Sequence, residues 1–212
     1  WLGWQIPVRT DEVHGAARIE SIDTELMRAR LASGQVAVVA GFQGIAPDGR
    51  IATLGRGGSD TSAVALAAAL SADRCDIYTD VDGVYTTDPR IAPKARKLDA
   101  ISFEEMLEMA SLGAKVLQTR SVAMAMRHNV KLQVRSSFSD APGTLVVNED
   151  AIVEQEKISG IAYSPDEAKV TIEGLPDEPG TAAAIFGELA ANHINVDMIV
   201  QSATGEGQGA DI

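Results

Sequence analysis

The sequence has 212 residues, 45% of them hydrophobic, and its 30 acidic and 18 basic side chains give a formal net charge of −12. The acidity excludes a general nucleic-acid binder, which would present a basic face, and no apolar run approaches the roughly 20 residues that cross a bilayer. The single cysteine, Cys75, excludes internal disulfides and a cysteine-rich zinc site. We therefore expect a cytoplasmic protein in which Cys75 is a small buried hydrophobe.

Charge is distributed unevenly along the chain. Residues 1–147 carry 17 acids and 16 bases, whereas residues 148–212 carry 13 acids and 2 bases. This shift predicts two domains, residues 1–147 and 168–212, joined by a linker at 148–167. The alternative is a single domain with an acidic surface.

Predicted strands and helices alternate along the first domain. In chain order, we predict strands at 36–40 and 50–54, a helix at 61–71, a strand at 76–79, helices from Ser102 to about Gly113 and from Lys115 to about His128, and strands at 131–137 and 144–147. Ser59 or Asp60 is expected to cap the first helix, and Ser102 with Glu105 has the spacing of a capping box. The alternation predicts an α/β fold with a mainly parallel sheet.

The acidic part of the chain has a shorter pattern. We predict a strand at 169–173, a helix at 179–191 opened by Pro179, and a strand at 196–201. This β-α-β order predicts a small ferredoxin-like module, which needs two more elements to close. Asp177 and the free amides at the helix start could bind the two ends of a zwitterionic amino acid, and a simple capped helix is the alternative.

The segment Gly55-Arg56-Gly57-Gly58-Ser59-Asp60 lies between a predicted strand and a predicted helix. Its glycines allow a sharp turn and a close backbone approach, and the helix start favours an anion such as phosphate or carboxylate. Arg56 could form a bidentate pair with such an anion. The dinucleotide-binding and Walker patterns both fail here, because Asp60 replaces a required glycine and no lysine follows the last glycine. A structural glycine turn is the alternative.

A second polar segment, residues 78–90, leaves the carboxyl end of a predicted strand, where open α/β sheets bind ligands. It offers aromatic rings, hydroxyls, carboxylates and Arg90, a set that suits a nucleotide with its magnesium ion. Lys115 is a further candidate for phosphate contact. The alternative is a polar surface loop.

Taken together, these stretches resemble the aspartate kinase family, of the amino-acid kinase superfamily. The matching residues are 39–44, 53–61, 78–90, 102–106, 113–117 and 134–137. Residues 177–182, 194–197 and 201 resemble the first of two ACT modules that regulate such kinases. The resemblance implies the nucleotide-binding, carboxyl-terminal part of an amino-acid-kinase-like three-layer sandwich, followed by an incomplete ACT module. It also implies transfer of the γ-phosphate of ATP, with Mg²⁺, to the side-chain carboxylate of L-aspartate. The product is 4-phospho-L-aspartate, at the entry to lysine, threonine, methionine and diaminopimelate synthesis.

The resemblance further implies roles for single residues. The residues that it implies to be catalytic are Arg56 and Asp60. Its substrate-binding residues are Arg56, Gly57, Gly58 and Ser59. Its nucleotide-binding residues are Ser59, Thr79, Asp80, Tyr85, Arg90, Lys115 and Val116. Its effector-binding residues are Asp177, Gly180, Thr181, Ala182, Asn195, Asp197 and Gln201, and none is assigned as a ligand of a protein-bound metal.

The chain also departs from that family's pattern. Family members open with a Lys-Phe/Tyr-Gly-Gly segment, whose lysine neutralises the transferring phosphoryl group, and a glutamate farther along helps to bind aspartate. Neither segment is present, and the chain begins at Trp1, so we expect a fragment that is inactive alone, from a homo-oligomeric parent regulated by lysine, threonine or both. Two other interpretations stay open. They are a non-catalytic amino-acid-binding regulatory chain, and another family member such as glutamate 5-kinase, acetylglutamate kinase or uridylate kinase.

Overall fold

A computed structural model describes residues 1, 5, 8–152, 158–163, 168–176, 178–192, 194, 196, 198–203 and 210–211. The chain divides into two compact units, Trp1–Ser164 and Pro165–Ile212. None of the helices formed by the described residues is long and apolar enough to cross a membrane.

The first unit contains two four-stranded sheets. Sheet one is formed by β1 (Val8–Thr10), β2 (Ile19–Ile22), β3 (Gln43–Ile45) and β4 (Ile51–Thr53), and helix α1 (Glu25–Ala32) lies between β2 and β3 in the chain. The spatial order is β2-β1-β3-β4, with β1 parallel to β3 and the other pairs antiparallel. The strand predicted at 50–54 is confirmed as β4. The sequence patterns predicted none of the other elements of this sheet.

Sheet two forms the larger part of the unit. Its strands are β5 (Cys75–Thr79), β6 (Ala100–Ser102), β7 (Leu132–Ser136) and β8 (Thr144–Val147), in the order β5-β7-β8-β6. The pairs β5–β7 and β6–β8 are parallel, and β7–β8 is antiparallel. The α/β class is confirmed, and the pairing in both sheets is mixed rather than mainly parallel.

Three helices accompany sheet two: α2 (Gly58–Leu70), α3 (Phe103–Ser111) and α4 (Thr119–His128). They share one apolar core with the strands, in which Phe103, Met106, Val122, Leu132 and Val134 are almost fully buried. Cys75 also belongs to this core, as expected. Burial of such side chains is the main driving force that holds the helices to the sheet.

Helix α3 confirms the capping box read from the sequence. The Glu105 amide donates to the Ser102 hydroxyl at 3.2 Å, and the Ser102 amide donates to the Glu105 carboxylate at 3.0 Å. Each side chain therefore satisfies an amide that the helix itself leaves unpaired.

The prediction of a strand at 36–40 is wrong. Val36 and Val38 are 87% and 77% exposed, and the described backbone contacts of this stretch run to Trp1. An apolar run becomes a buried strand only where neighbouring strands pair with it, and within the described residues no strand does so. The stretch has no regular secondary structure and precedes β3.

Two predicted helix starts are also wrong. Helix α2 begins at Gly58, because Gly57 takes a left-handed conformation and serves as the N-cap, so neither Ser59 nor Asp60 caps the helix. Helix α4 begins at Thr119 rather than Lys115, since Gln118 is extended and the residues before it form turns that bury Leu117.

The second unit contains helix α5 (Thr181–Ala191) and the antiparallel pair β9 (Ser202–Ala203) and β10 (Ala210–Asp211). Gly180 is the N-cap of α5, so Pro179 precedes the helix rather than opening it. The strand predicted at 169–173 is absent, and so is the one at 196–201 for its described residues 196 and 198–201. Val170 and Met198 are 75% and 81% exposed, because no described strand lies beside them.

Candidate active site

The glycine loop, residues 55–60, joins β4 to α2 and takes its shape from two left-handed glycines. Gly55 has a φ of 79° and Gly57 a φ of 69°, a region in which a residue with a Cβ is strained. Helix α2 starts directly after Gly57, with Ser59 and Asp60 in its first turn. The Gly58 amide donates to the Gly55 carbonyl at 3.0 Å. Helix geometry leaves the amides of Ser59 and Asp60 without intrahelical partners, at the positive end of the helix dipole. The loop therefore has the local structure of an anion site.

Neighbouring segments approach the loop so closely that a methyl group would not fit. A Cβ would lie 2.7 Å from the Gly15 carbonyl oxygen at Gly55, 1.9 Å from Gln118 Cγ at Gly57 and 2.7 Å from the Phe42 ring at Gly58. Phe42 itself is left-handed, with a φ of 70°, and its amide donates to the Ser62 hydroxyl at 3.1 Å. The loop is thus enclosed by three segments that are distant in sequence.

Arg120 of helix α4 binds the backbone directly before the loop. Its Nη1 donates to the Leu54 carbonyl at 2.8 Å, and its Nη2 donates to the Ala17 carbonyl at 2.7 Å. Leu54 is the residue directly before the glycine loop. The first turn of α4 is therefore tied to the backbone just after β4 and just before β2.

The two predicted catalytic residues stand in different surroundings. Arg56 is exposed at the turn. Asp60 is half-buried, and this burial raises the pKa of its carboxyl above the ordinary value, although a hydrogen bond from the Ser59 hydroxyl at 3.4 Å opposes the shift. The loop combines a solvent-facing cation with a partly desolvated carboxylate.

A cavity of about 520 Å³ lies beside the first turn of α2. It is lined by Met27, Leu31, Ala37, Val39, Gly41, Ser59, Ser62, Ala63, Leu66 and Leu70. This lining is mostly apolar and carries no charge, so the cavity does not suit a phosphate or a carboxylate. We place the anion site at the glycine loop and not in this cavity.

The segment predicted to bind nucleotide follows β5 and is organised by bonds among its own side chains. The Thr79 hydroxyl donates to Asp80 Oδ1 at 3.1 Å. The Tyr85 hydroxyl donates to Asp82 Oδ1 at 2.9 Å, and this bond raises the pKa of Tyr85. Of the two carboxylates, Asp82 is engaged by tyrosine, whereas Asp80 is exposed.

Arg90, at the end of this segment, forms an exposed ion pair. Its Nη2 lies 2.8 Å from Asp88 Oδ2, and hydrogen bonds from Arg90 lower the pKa of Asp88. Exposed ion pairs contribute little free energy, typically about 0–1 kcal/mol. A phosphate group can therefore compete with Asp88 for this guanidinium.

Thr144 of β8 anchors the base of the same segment to sheet two. The Val84 amide donates to the Thr144 hydroxyl at 2.8 Å, and this hydroxyl donates to the Leu98 carbonyl at 2.5 Å. A Cβ at Gly83 would lie 2.5 Å from the Thr144 oxygen. One buried hydroxyl thus fixes both ends of the turn-rich stretch between β5 and β6.

Lys115 and Val116, also predicted to contact nucleotide, lie in the turns before α4. Lys115 is exposed, and Val116 packs against the core. Because Gln118 touches Gly57, the structure brings these turns next to the glycine loop. We also expect the glycine loop and residues 78–90 to face each other across a shared cleft, and this stays a prediction.

Comparison with known proteins assigns the chain to a family. The profile of the amino acid kinase family matches residues 3–136, and that of the ACT domain matches residues 170–212. The chain belongs to the amino acid kinase family. The glycine loop, the segment at 78–90 and the turns before α4 all lie within the kinase-family match.

Within this family the chain is similar to aspartate kinases. It is 60% identical over 203 residues to the aspartate kinase of Pseudomonas putida, a match that covers 95% of this chain and 49% of the relative. It is 52% identical over 212 residues to the aspartokinase of Corynebacterium glutamicum, covering 99% of this chain and 50% of the relative. The chain spans about half the length of the curated relatives it matches.

Solved structures agree with this similarity. The fold is similar to Escherichia coli aspartokinase III in complex with aspartate and ADP, with a TM-score of 0.69 and 33% identity over 100% of this chain and 47% of that chain. The same enzyme in complex with lysine and aspartate gives a TM-score of 0.71 at 33% identity, with the same coverage. The amino-acid-kinase fold with a following ACT domain is therefore shown.

The predicted effector residues lie in the ACT-matching unit. Gly180, Thr181 and Ala182 stand together at the start of α5, where Gly180 has a φ of 106°. Gln201 is exposed directly before β9. The other three residues, Asp177, Asn195 and Asp197, lie outside the described residues.

Three residues at the glycine loop were missed by sequence reasoning: Phe42, Gln118 and Arg120. Phe42 lies in one of the stretches that carry the family resemblance, and that stretch was the available signal. Gln118 and Arg120 act on partners that are more than 60 residues away. No local spacing in the sequence reports such contacts.

Proposed function

We propose that this chain is part of an aspartate kinase, which transfers the γ-phosphate of ATP to the side-chain carboxylate of L-aspartate and yields 4-phospho-L-aspartate and ADP. The observation that carries the proposal is the glycine loop. It presents an exposed arginine and first-turn helix amides, and it lies in a chain that is 52–60% identical to aspartate kinases over almost its whole length. The reaction is the first step toward lysine, threonine, methionine and diaminopimelate, and we place it in the cytoplasm.

The loop's chemistry follows from its charges. Arg56 binds a carboxylate of aspartate through a bidentate pair, and the amides of Ser59 and Asp60 stabilise negative charge at the helix start. A carboxylate oxygen of aspartate attacks the γ-phosphorus, and ADP leaves. No covalent enzyme intermediate is required, because phosphoryl transfer depends on positioning and charge neutralisation.

The segment after β5 binds the nucleotide in this proposal. Thr79, Asp80, Tyr85 and Arg90 supply hydroxyls, a carboxylate, an aromatic ring and a cation, and the turns at Lys115 and Val116 add a second cation. Because Arg90 is exposed and its ion pair with Asp88 lies at the surface, it can turn toward a phosphate.

Magnesium fits this set of donors as an ion bound to the nucleotide. Within the described residues, no group of three or more His, Cys, Asp or Glu side chains could hold a metal ion alone. Kinases hold Mg²⁺ through one or two carboxylates together with the phosphates, and Asp80 is the exposed carboxylate available for this. When bound, the ion neutralises charge on the phosphates.

The ACT-matching unit is proposed to regulate the kinase. The structure of Escherichia coli aspartokinase III with lysine and aspartate supports lysine as an effector, and threonine is the second candidate. Residues 180–182 at the start of α5 would bind the carboxylate of the amino acid. ACT modules usually pair, so we propose a homo-oligomer.

The proposal is tested on the full-length protein that contains this chain. Hydroxylamine converts an acyl phosphate to a hydroxamate, so it reports the product directly, while ADP release reports the turnover of ATP. We expect both signals with L-aspartate and neither with L-glutamate, N-acetyl-L-glutamate or UMP. Both signals with L-glutamate or N-acetyl-L-glutamate, or ADP release alone with UMP, and neither signal with aspartate, would assign the chain to another activity of the family.

A further inference from the structure

The positive charge of Arg120 does not stabilise its own helix. It stands in the first turn of α4, at the positive end of the helix dipole, and no acidic residue shares that turn. Its guanidinium is directed away from α4 and toward sheet one. There it donates to the carbonyls of Leu54, at 2.8 Å, and Ala17, at 2.7 Å.

The two carbonyls lie on neighbouring backbone segments that are hydrogen-bonded to each other. The Ala17 amide donates to the Thr53 carbonyl at 3.0 Å, and the Leu54 amide donates to the Phe42 carbonyl at 3.0 Å. Ala17 and Leu54 are almost fully buried. The planar fork of a guanidinium suits two acceptors in fixed positions.

The same end of α4 contacts both ends of the glycine loop's turn. Arg120 bonds to Leu54, directly before Gly55, and Gln118 packs against Gly57. The start of α4 therefore constrains the loop from outside, in addition to the shape that the two left-handed glycines give it.

We propose that Arg120 is a positioning residue, which holds the glycine loop so that Arg56 and the amides of the first turn of α2 meet the aspartate carboxylate. The inference rests on the proposed function. Arg120 does not touch substrate and acts only through the backbone of Leu54 and Ala17.

Kinetics on the full-length protein separate positioning from simple structural support. A misplacement of a reacting group by about 1 Å can lower the reaction rate about a hundredfold. We therefore expect Arg120→Ala to raise the KM for aspartate by about tenfold to a hundredfold, while the KM for ATP stays unchanged. Arg120→Lys, which keeps one cationic donor without the fork, should recover part of the loss. Arg127→Ala is the matched control, since Arg127 is exposed on the same helix. A purely structural role would lower the amount of active enzyme and leave both KM values unchanged.

A measurement on this chain itself does not depend on activity. Amide hydrogen exchange of a peptide covering residues 52–60 should be faster in Arg120→Ala than in the unaltered chain, while peptides from β5 and β7 keep their protection. If Arg120→Ala does not fold, Arg120→Lys supplies both measurements. Unchanged exchange at 52–60, or an unchanged KM for aspartate in an active kinase, overturns the inference. A full-length protein that lacks aspartate-dependent ADP release refutes the proposed function, and the exchange result then decides separately whether Arg120 holds the loop.

Discussion

The hydroxyl of Ser159 donates a hydrogen bond to the carboxylate of Glu105, 54 residues earlier in the chain. A second bond holds the same stretch, because the Ile161 amide donates to the Thr86 carbonyl at 2.7 Å. Residues 158–161 are thus tied both to the start of α3 and to the segment for which we propose nucleotide binding. Residues 158–161, which lie beyond the kinase-family match, therefore contribute to the stability of α3.

The Ser159 bond has a consequence for acid stability. Burial alone would raise the pKa of Glu105, but hydrogen bonds from Ser159 and from the Ser102 amide and hydroxyl outweigh it and lower the pKa below its ordinary value. A carboxyl whose pKa is lower in the folded state adds stability above its unfolded pKa, about 4.3 for glutamate, and loses it as the pH falls through the folded pKa. We expect Glu105→Gln to lower the free energy of unfolding at neutral pH, with a difference from the unaltered chain that shrinks on acidification.

Urea unfolding at a series of pH values measures this effect. Glu108→Gln is the control, because Glu108 lies on the same helix and is exposed. Its unfolding curves should follow those of the unaltered chain throughout. A Glu105→Gln variant whose deficit is constant with pH would contradict the role that we give to the ionised carboxylate.

Thr144 is predicted to stabilise the nucleotide segment through its hydroxyl. Thr144→Val keeps the shape but leaves the buried Val84 amide and the Leu98 carbonyl without this partner. An unpaired buried polar group costs about 1–3 kcal/mol, so we expect the free energy of unfolding to fall by about that amount. Thr144→Ser, which retains the hydroxyl, should lose less. A Thr144→Val variant that loses less than Thr144→Ser, measured by urea denaturation, would show that the methyl group matters and not the hydrogen bonds.

Cys75 is predicted to be inert in the folded protein. Burial, followed by the negative charges of Asp76 and Asp60, raises the pKa of Cys75 to about 11. Because the thiolate is the reactive form, a disulfide reagent at pH 8 should label the native chain very slowly and the urea-unfolded chain rapidly. Native labelling at the rate of a free cysteine would place the thiol at the surface.

Local patterns were enough to predict several elements. The capping box at Ser102 and Glu105 depends on residues three apart, and the structure confirms it. The start of α2 was misplaced, because Gly57 as a left-handed N-cap competes with the serine and aspartate that usually take this role. The apolar run at 36–40 resembles a buried strand, but whether such a run pairs depends on neighbours that periodicity does not report.

Local patterns also predicted part of the candidate site. The glycines, Arg56 and the polar segment after β5 form contiguous motifs, so their residue types and spacing indicate an anion site and a nucleotide site. Arg120 gives no such signal, because its partners Ala17 and Leu54 lie 103 and 66 residues away. Ser159 likewise meets Glu105 only in the folded chain.

The most direct test of the account is the KM for L-aspartate in the full-length protein after Arg56→Ala. Hydrogen bonds to a charged group contribute about 1.5–3 kcal/mol, so losing the bidentate pair should raise this KM by about tenfold to more than a hundredfold. Arg50→Ala, at an exposed arginine directly before β4, is the matched control and should leave the KM unchanged. If Arg56→Ala binds aspartate as the unaltered protein does, the glycine loop does not hold the substrate and the account of the site is contradicted.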